Sequence, residues 1–343
     1  MKQFMMGSQI IALAAVEAGA TGFFAYPITP ASEIMSFWLK EKEANPALDF
    51  MQTEDEISAG FTTIGNILGG KVAFTATAGP GNVLMQDPLS MAESMRVPIV
   101  CIIGQRGGPS TGTVVYSQQE VTLTAYGGNS EGYRIVYSPA GLQELYKYTK
   151  KAFVTAWKYR FPTFVLTDGY TTKLRGEVNI SKEKNPKIET IELFGSEKEY
   201  VNYRNCFEYE EEIYELNKNL ENEFNKANSK VEEYFIYPTK PEKKLDCLII
   251  AHGIVGLAAK AAIDQNKSNK KIALFRPITL RPFPKKKLIE MAANAKKIIV
   301  VESAANQLLR LVKENLYGLK TPITHIGKAG LGIYPDEIKK AFK

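Results

Sequence analysis

Gln52-Thr53-Glu54-Asp55-Glu56 opens an acidic cluster, and small and apolar residues then lead to Val72-Ala73-Phe74-Thr75-Ala76-Thr77-Ala78-Gly79-Pro80-Gly81. Carboxylates at 54–56 sit where a helix N-terminus favours negative charge. From 57 to 70 nearly every residue is small or apolar, including Ala59, Gly60, Ile64, Gly65 and Ile67. That composition suits a helix lying close on a sheet. Residues 72–77 are rich in β-formers without polar alternation, which predicts a strand covered on both faces, as in a parallel sheet. Gly79-Pro80-Gly81 turns the chain, and 82–95 restarts as a helix.

The same alternation extends outward. A helix over 8–18 begins almost at the N-terminus, followed by a strand over 22–26 that Pro27-Ile28-Thr29-Pro30 cuts off. Ser32 can cap the next helix. Residues 97–103 form another strand, followed by the loop Gln105-Arg106-Gly107-Gly108-Pro109-Ser110-Thr111-Gly112. A helix over 142–159 and a strand over 163–166 complete a doubly wound α/β domain, 1–178, in which ligands gather at strand C-terminal ends. The loops 26–30, 78–81 and 105–112 are therefore expected to converge. Residues 179–244 read as a connector dense in charge and aromatics, with one helix over 208–234 laid on a neighbour by its aromatic side. From Leu245 a second doubly wound parallel-sheet unit, 245–343, starts with strands at 245–251, 271–276 and 297–302.

Composition narrows the chemistry. The 343 residues carry a net charge of +6 with lysines spread along the chain, which argues against a nucleic-acid-binding patch. No apolar run reaches membrane-spanning length and the start lacks a signal-peptide shape, so a cytoplasmic protein is expected. The cysteines, Cys101, Cys206 and Cys247, are too scattered for a disulfide framework or an iron–sulfur cluster within this chain. Two histidines, His252 and His325, leave little for histidine-based triads or metal sites. A Walker A loop is absent. The turn His252-Gly253-Ile254-Val255-Gly256 lacks the spacing of a dinucleotide fingerprint.

With these residues in place the chain resembles the α subunits of 2-oxoacid:ferredoxin oxidoreductases, which use thiamine diphosphate. The resemblance is carried by Tyr26-Pro27-Ile28-Thr29-Pro30-Ala31-Ser32, Gln52-Thr53-Glu54-Asp55-Glu56-Ile57, Thr75-Ala76-Thr77-Ala78-Gly79-Pro80-Gly81 and the 105–112 loop. Phe275-Arg276-Pro277-Ile278-Thr279-Leu280-Arg281-Pro282-Phe283-Pro284 resembles the transketolase-C-like second domain of the same subunits. The resemblance implies a pyrimidine-binding first domain whose key glutamate meets the aminopyrimidine and promotes formation of the ylid. Glu54 matches that position by its separation from the glycine turn, leaving Asp55 and Glu56 as helix-start charges. It also implies that Thr29 and Arg106 position the substrate, Arg106 by pairing its carboxylate, a task suited to a planar guanidinium. Ser110 and Thr111 are further substrate-loop candidates, while Pro27, Ile28, Gly79 and Pro80 would shape the cofactor site.

The resemblance further implies what must come from elsewhere. The diphosphate-and-magnesium motif is absent, Thr167-Asp168-Gly169-Tyr170 being only a fragment, and cluster cysteines are absent too. A β subunit is expected to bring the diphosphate and Mg2+ sites and an iron–sulfur cluster. Ferredoxin, coenzyme A and, in larger assemblies, γ and δ subunits are the other partners. The 105–112 loop points to 2-oxoglutarate as substrate. Thr113-Val114-Val115-Tyr116-Ser117-Gln118-Gln119-Glu120 departs from the family pattern of a Pro-Thr followed by Glu-Gln-x-Asp, which keeps a branched-chain or aryl 2-oxoacid open. A thiamine enzyme component without ferredoxin is the remaining alternative. Glu302-Ser303-Ala304-Ala305-Asn306-Gln307 also departs from relatives, so no local role is drawn for it.

Overall fold

The computed structural model describes residues 1–114, 116–181, 188–190 and 203–342; Val115 and parts of the expected connector (182–187 and 191–202) lie outside the described residues. Strands are numbered β1 (Lys2–Met6), β2 (Gly22–Ala25), β3 (Asp49–Gln52), β4 (Ala73–Thr77), β5 (Val100–Gln105), β6 (Ile135–Tyr137) and β7 (Thr163–Asp168). They continue as β8 (Arg175–Asn179), β9 (Tyr234–Tyr237), β10 (Cys247–Ile250), β11 (Ile272–Pro277), β12 (Thr279–Arg281), β13 (Ile298–Glu302) and β14 (Ile323–Gly327). The first sheet has the order β12-β6-β7-β5-β4-β2-β3 and the second β14-β13-β10-β11-β9. Each is parallel except at one edge, where β12 runs antiparallel to β6 and β9 antiparallel to β11. The two doubly wound parallel sheets expected from the alternation are both present.

Every residue of β4, β5 and β7 is buried, as their unbroken apolar and small-residue runs require. One face of the first sheet packs Phe23, Phe74 and Phe153 against Trp38, with Phe23 and Phe74 stacked at 4.5 Å and Trp38 edge-on to Phe74 at 5.2 Å. Burial of each such ring contributes about 1.5–3 kcal/mol. The opposite face takes the helices Glu56–Leu68 and Gln86–Ser94. Among the described residues no helix is long and apolar enough to cross a membrane.

Three edges differ from the sequence reading. Residues 2–6 form β1 ahead of the first helix, because β8 offers them an antiparallel partner. Part of the expected connector, β9, is an edge strand of the second sheet, and part of the expected loop after β11 is β12, which closes the first sheet. Sheet membership therefore does not follow a boundary at 244/245. The connector helix, Glu210–Val231, lies on the first core through Leu220, Phe224, Ala227 and Val231, with Phe224 edge-on to Phe161 at 5.4 Å.

The two sheets are also stitched through side chains. Gln118 accepts from Ser303 N at 3.1 Å and donates through Nε2 to His252 O at 3.0 Å, while its own N–H donates to Ser303 O at 2.9 Å. Asp168 accepts from Ile254 N at 2.9 Å, where a carboxylate complements the start of the helix Gly253–Asp264. The fragment Thr167-Asp168-Gly169-Tyr170 thus has a structural task, joining the units. In the second unit buried Glu302 accepts from Leu308 N and Leu309 N, at 2.7 and 3.1 Å, and so caps the helix Gln307–Asn315.

The topology fixes where a ligand can sit. β2 lies between β3 and β4, so the chain leaves β2 toward one neighbour and returns on its other side. Loops after β2 and β4 part at such a switch point and open a crevice at the carboxyl ends of the strands.

Candidate functional site

The loops after β2, β4 and β5 meet at this crevice. Arg106, one residue beyond β5, is buried, and its Nη1 donates to Thr29 O at 2.9 Å. Gly79 ends the turn after β4 at φ 53°, a left-handed conformation that only glycine adopts without strain. It also allows close approach, since a Cβ at this position would stand 2.5 Å from Arg106 Nε. Pro80 then opens the short helix Pro80–Leu84. The loops after β4 and β5 line a cavity of about 630 Å³ whose walls include Gly79, Pro80, Arg106 and Ser110.

Glu120 binds the loops together. Its carboxylate is buried and accepts from Gly79 N at 2.9 Å, Asn82 Nδ2 at 3.1 Å and Arg106 N at 2.9 Å. Burial pushes its pKa up against the opposing pull of these donors. Sequence reading did not single out Glu120, although it closes the departing run 113–120 that was noted. One buried acid fastening the glycine turn to the arginine loop is visible only once both loops are in place.

The acidic cluster resolves into three different roles. Asp55 is the cap of the helix Glu56–Leu68, accepting from Ser58 N at 2.6 Å, and that bond holds its pKa down. Glu54 is exposed, and its Oε1 accepts from Ser58 Oγ at 3.3 Å on the outer side of the helix start. Glu56 is the buried one. Its Oε1 faces Gly81, where an added Cβ would stand 2.4 Å from it and 2.2 Å from Thr77 Oγ1. Burial raises the pKa of Glu56, with Asp55 adding to the rise and Arg106 opposing it. Of the three acids the structure buries Glu56, against Gly81, and leaves Glu54, the expected cofactor partner, exposed. A signal was available in the sequence, because Glu56 is in phase with Ala59, Gly60, Thr63, Ile64 and Ile67, the buried stripe of that helix.

The other expected site residues divide. Gly79, Pro80, Arg106 and Ser110 line the cavity, and Thr29 reaches the site through its carbonyl on Arg106. Ser110 has φ 53° and is exposed. Thr111 is exposed and lies outside the cavity lining, as do Pro27, also exposed, and Ile28, which packs against the first core. Several buried polar atoms beside the crevice find no partner among the described residues, including Thr77 Oγ1, both amide atoms of Gln105 and Arg106 Nε. Buried polar groups are nearly always satisfied, so such atoms mark places where a ligand or water completes the site.

The fold and crevice define a doubly wound α/β unit built to hold a ligand between strand-end loops, with the buried Arg106 and Glu120 in the cavity wall. The family described as pyruvate flavodoxin/ferredoxin oxidoreductase, thiamine-diphosphate-binding, matches residues 13–238, and pyruvate:ferredoxin oxidoreductase core domain II matches residues 246–338. The chain belongs to this oxidoreductase family. Ketoisovalerate oxidoreductase subunit VorB of Methanothermobacter marburgensis is 29% identical over 322 residues, covering 91% of this chain and 89% of the relative. The 2-oxoglutarate synthase subunit KorA of Methanocaldococcus jannaschii is 38% identical over 177 residues, 51% of this chain and 48% of that one. In fold the chain is similar to 2-oxoglutarate:ferredoxin oxidoreductase from Magnetococcus marinus, at a TM-score of 0.87 and 24% identity, covering 99% of this chain. It spans 64% of that solved chain.

Proposed function

We propose that this chain is the α subunit of a heteromeric, thiamine-diphosphate-dependent 2-oxoacid:ferredoxin oxidoreductase, with Glu56 facing the aminopyrimidine and Arg106 the substrate carboxylate. The observation that carries the reading is the buried Glu56 carboxyl against Gly81, in the same glycine turn whose Gly79 lies against Arg106. Thiamine diphosphate, when bound, supplies the electron sink into which a 2-oxoacid loses carbon dioxide.

The residues fit that cofactor. Burial favours the protonated form of Glu56, so its carboxyl can donate to a ring nitrogen and take the proton back. Gly81 has no side chain to fill the space in front of it, and the unpaired Thr77 Oγ1 lies beside it. Arg106 is oriented by Thr29 O and by the Glu120 clamp on its backbone, leaving guanidinium donors for a carboxylate. Gly79 and Pro80 line the cavity beside Arg106.

The remaining parts fall to partner subunits. Cys101 and Cys247 are buried in separate strands and Cys206 is exposed elsewhere. Among the described residues no group of three or more His, Cys, Asp or Glu is placed to hold a metal. A β subunit bringing the diphosphate-bound Mg2+ and the iron–sulfur cluster, ferredoxin as electron acceptor and coenzyme A as acyl acceptor complete the reaction. The test is turnover of the complex purified through this chain, with 2-oxoacids, coenzyme A and a low-potential dye. Loss of at least about 100-fold in kcat for Glu56→Gln, with the cofactor still bound, is expected of a proton partner. Unchanged turnover in that variant refutes the role.

A further inference from the structure

We infer that the substrate is a 2-oxoacid with an uncharged apolar side chain, branched aliphatic or aryl, and not a dicarboxylate such as 2-oxoglutarate. This rests on the reading of the crevice as a 2-oxoacid site. The two ionisable residues lining the cavity are Arg106 and Glu120. Arg106 is committed to the carboxylate next to the reacting carbonyl, which every 2-oxoacid has. Glu120 is an acid, and both of its oxygens are engaged by backbone and amide donors.

Apart from the uncharged polar side chains of Ser110 and Gln119, the rest of the wall is glycine and hydrocarbon. Val83 and Leu84 project from the short helix after the glycine turn, and both are among the exposed large hydrophobics of the chain, at 58% and 45%. Leu123 faces the same space from the helix Val121–Tyr126, and Pro80 and Pro109 close its ends. A second carboxylate anchored through Arg106 would sit among Val83, Leu84 and Leu123 without a cation, and an unpaired desolvated carboxylate is strongly disfavoured. A branched or aromatic side chain would instead cover apolar surface that this chain leaves open to water. The lining thus decides against the 2-oxoglutarate suggested by the 105–112 loop and for the alternative that the 113–120 departure kept open.

The experiment uses the intact complex isolated through this chain, with its cofactors. It compares kcat/KM for 3-methyl-2-oxobutanoate, 4-methyl-2-oxopentanoate, phenylpyruvate, pyruvate and 2-oxoglutarate, with coenzyme A and a viologen acceptor. A preference of at least 100-fold for the best branched or aryl acid over 2-oxoglutarate is expected. Leu123→Lys should then move the ratio at least 10-fold toward 2-oxoglutarate. A wild-type preference for 2-oxoglutarate overturns the inference and leaves the proposed activity standing. Turnover of none of the acids, with thiamine diphosphate bound and reducible clusters present, overturns the proposed activity as well.

Discussion

Replacing Glu120 with alanine tests the idea that one buried carboxylate fixes the two site loops in register. The change removes the acceptor for Gly79 N, Arg106 N and Asn82 Nδ2, whereas Asn82 Nδ2 retains Thr124 Oγ1 at 3.2 Å. Two backbone N–H groups are left unpaired in a buried setting, at about 1–3 kcal/mol each. Loss of the desolvated carboxylate itself offsets part of that, since burial already penalises its charged form. A net destabilisation of about 2–3 kcal/mol follows from these opposing contributions. Glu120→Gln keeps the shape but offers one acceptor oxygen, so an amide N–H faces either the Gly79 side or Arg106 N. Its cost is about 1–3 kcal/mol. The functional effect comes through Arg106, because a shift of about 1 Å in a positioning group can lower the rate about 100-fold. We expect KM for the 2-oxoacid to rise more than kcat falls, measured by steady-state kinetics on the assembled complex alongside its thermal unfolding. Both variants melting with the parent and retaining kcat/KM within about threefold, a change of roughly 0.7 kcal/mol, would refute the clamp.

Other perturbations separate the roles of neighbouring residues. Glu54→Gln, on the outer side of the helix start, should keep kcat within about twofold while Glu56→Gln loses at least about 100-fold; the reverse order in parallel assays returns the assignment to Glu54. Gly79→Ala should disrupt the site, because the left-handed backbone and the 2.5 Å approach to Arg106 Nε both exclude a side chain. A loss of about 1–3 kcal/mol from backbone strain alone is expected in denaturation experiments. Asp168 ionises near pH 4 in the unfolded chain, but burial pushes its folded pKa up to about 7. Between those values the folded state holds the extra proton, so this group's contribution to stability falls as pH rises, by about 4 kcal/mol at most. Asp168→Asn, which can still accept from Ile254 N, should flatten that slope, and an unchanged pH dependence from 5 to 8 would count against it.

Much of the architecture was legible because covered parallel strands have an unmistakable composition. Residues 72–77 and 97–103 read as buried strands from their short β-rich apolar runs, and the turns after them are expected at one end of the sheet. What escaped were elements defined by their partners. β12 is three residues of a proline-bounded loop until β6 lies beside it, and β9 is a short aromatic run that needs β11. Edge strands of this length carry too little pattern of their own. At the site, the motifs predict that the loops holding Thr29 and Arg106 converge, and Arg106 Nη1 does donate to Thr29 O. For the acid two signals compete: distance along the chain to the glycine turn favours Glu54, and helical phase favours the buried Glu56. Phase decides burial, and burial is what prepares a carboxyl for proton exchange.

The interleaved edge strands constrain how such a protein can be inherited or rebuilt. A chimera joined at 244/245 would pair β6 with a foreign β12 and β9 with a foreign β11, putting a mismatched edge on both sheets. A workable crossover lies before Tyr234, and the incoming segment must also supply a strand complementary to β6. Selection acting on the crevice is therefore tied to the sequence of the second unit, and the pair travels as one heritable cassette.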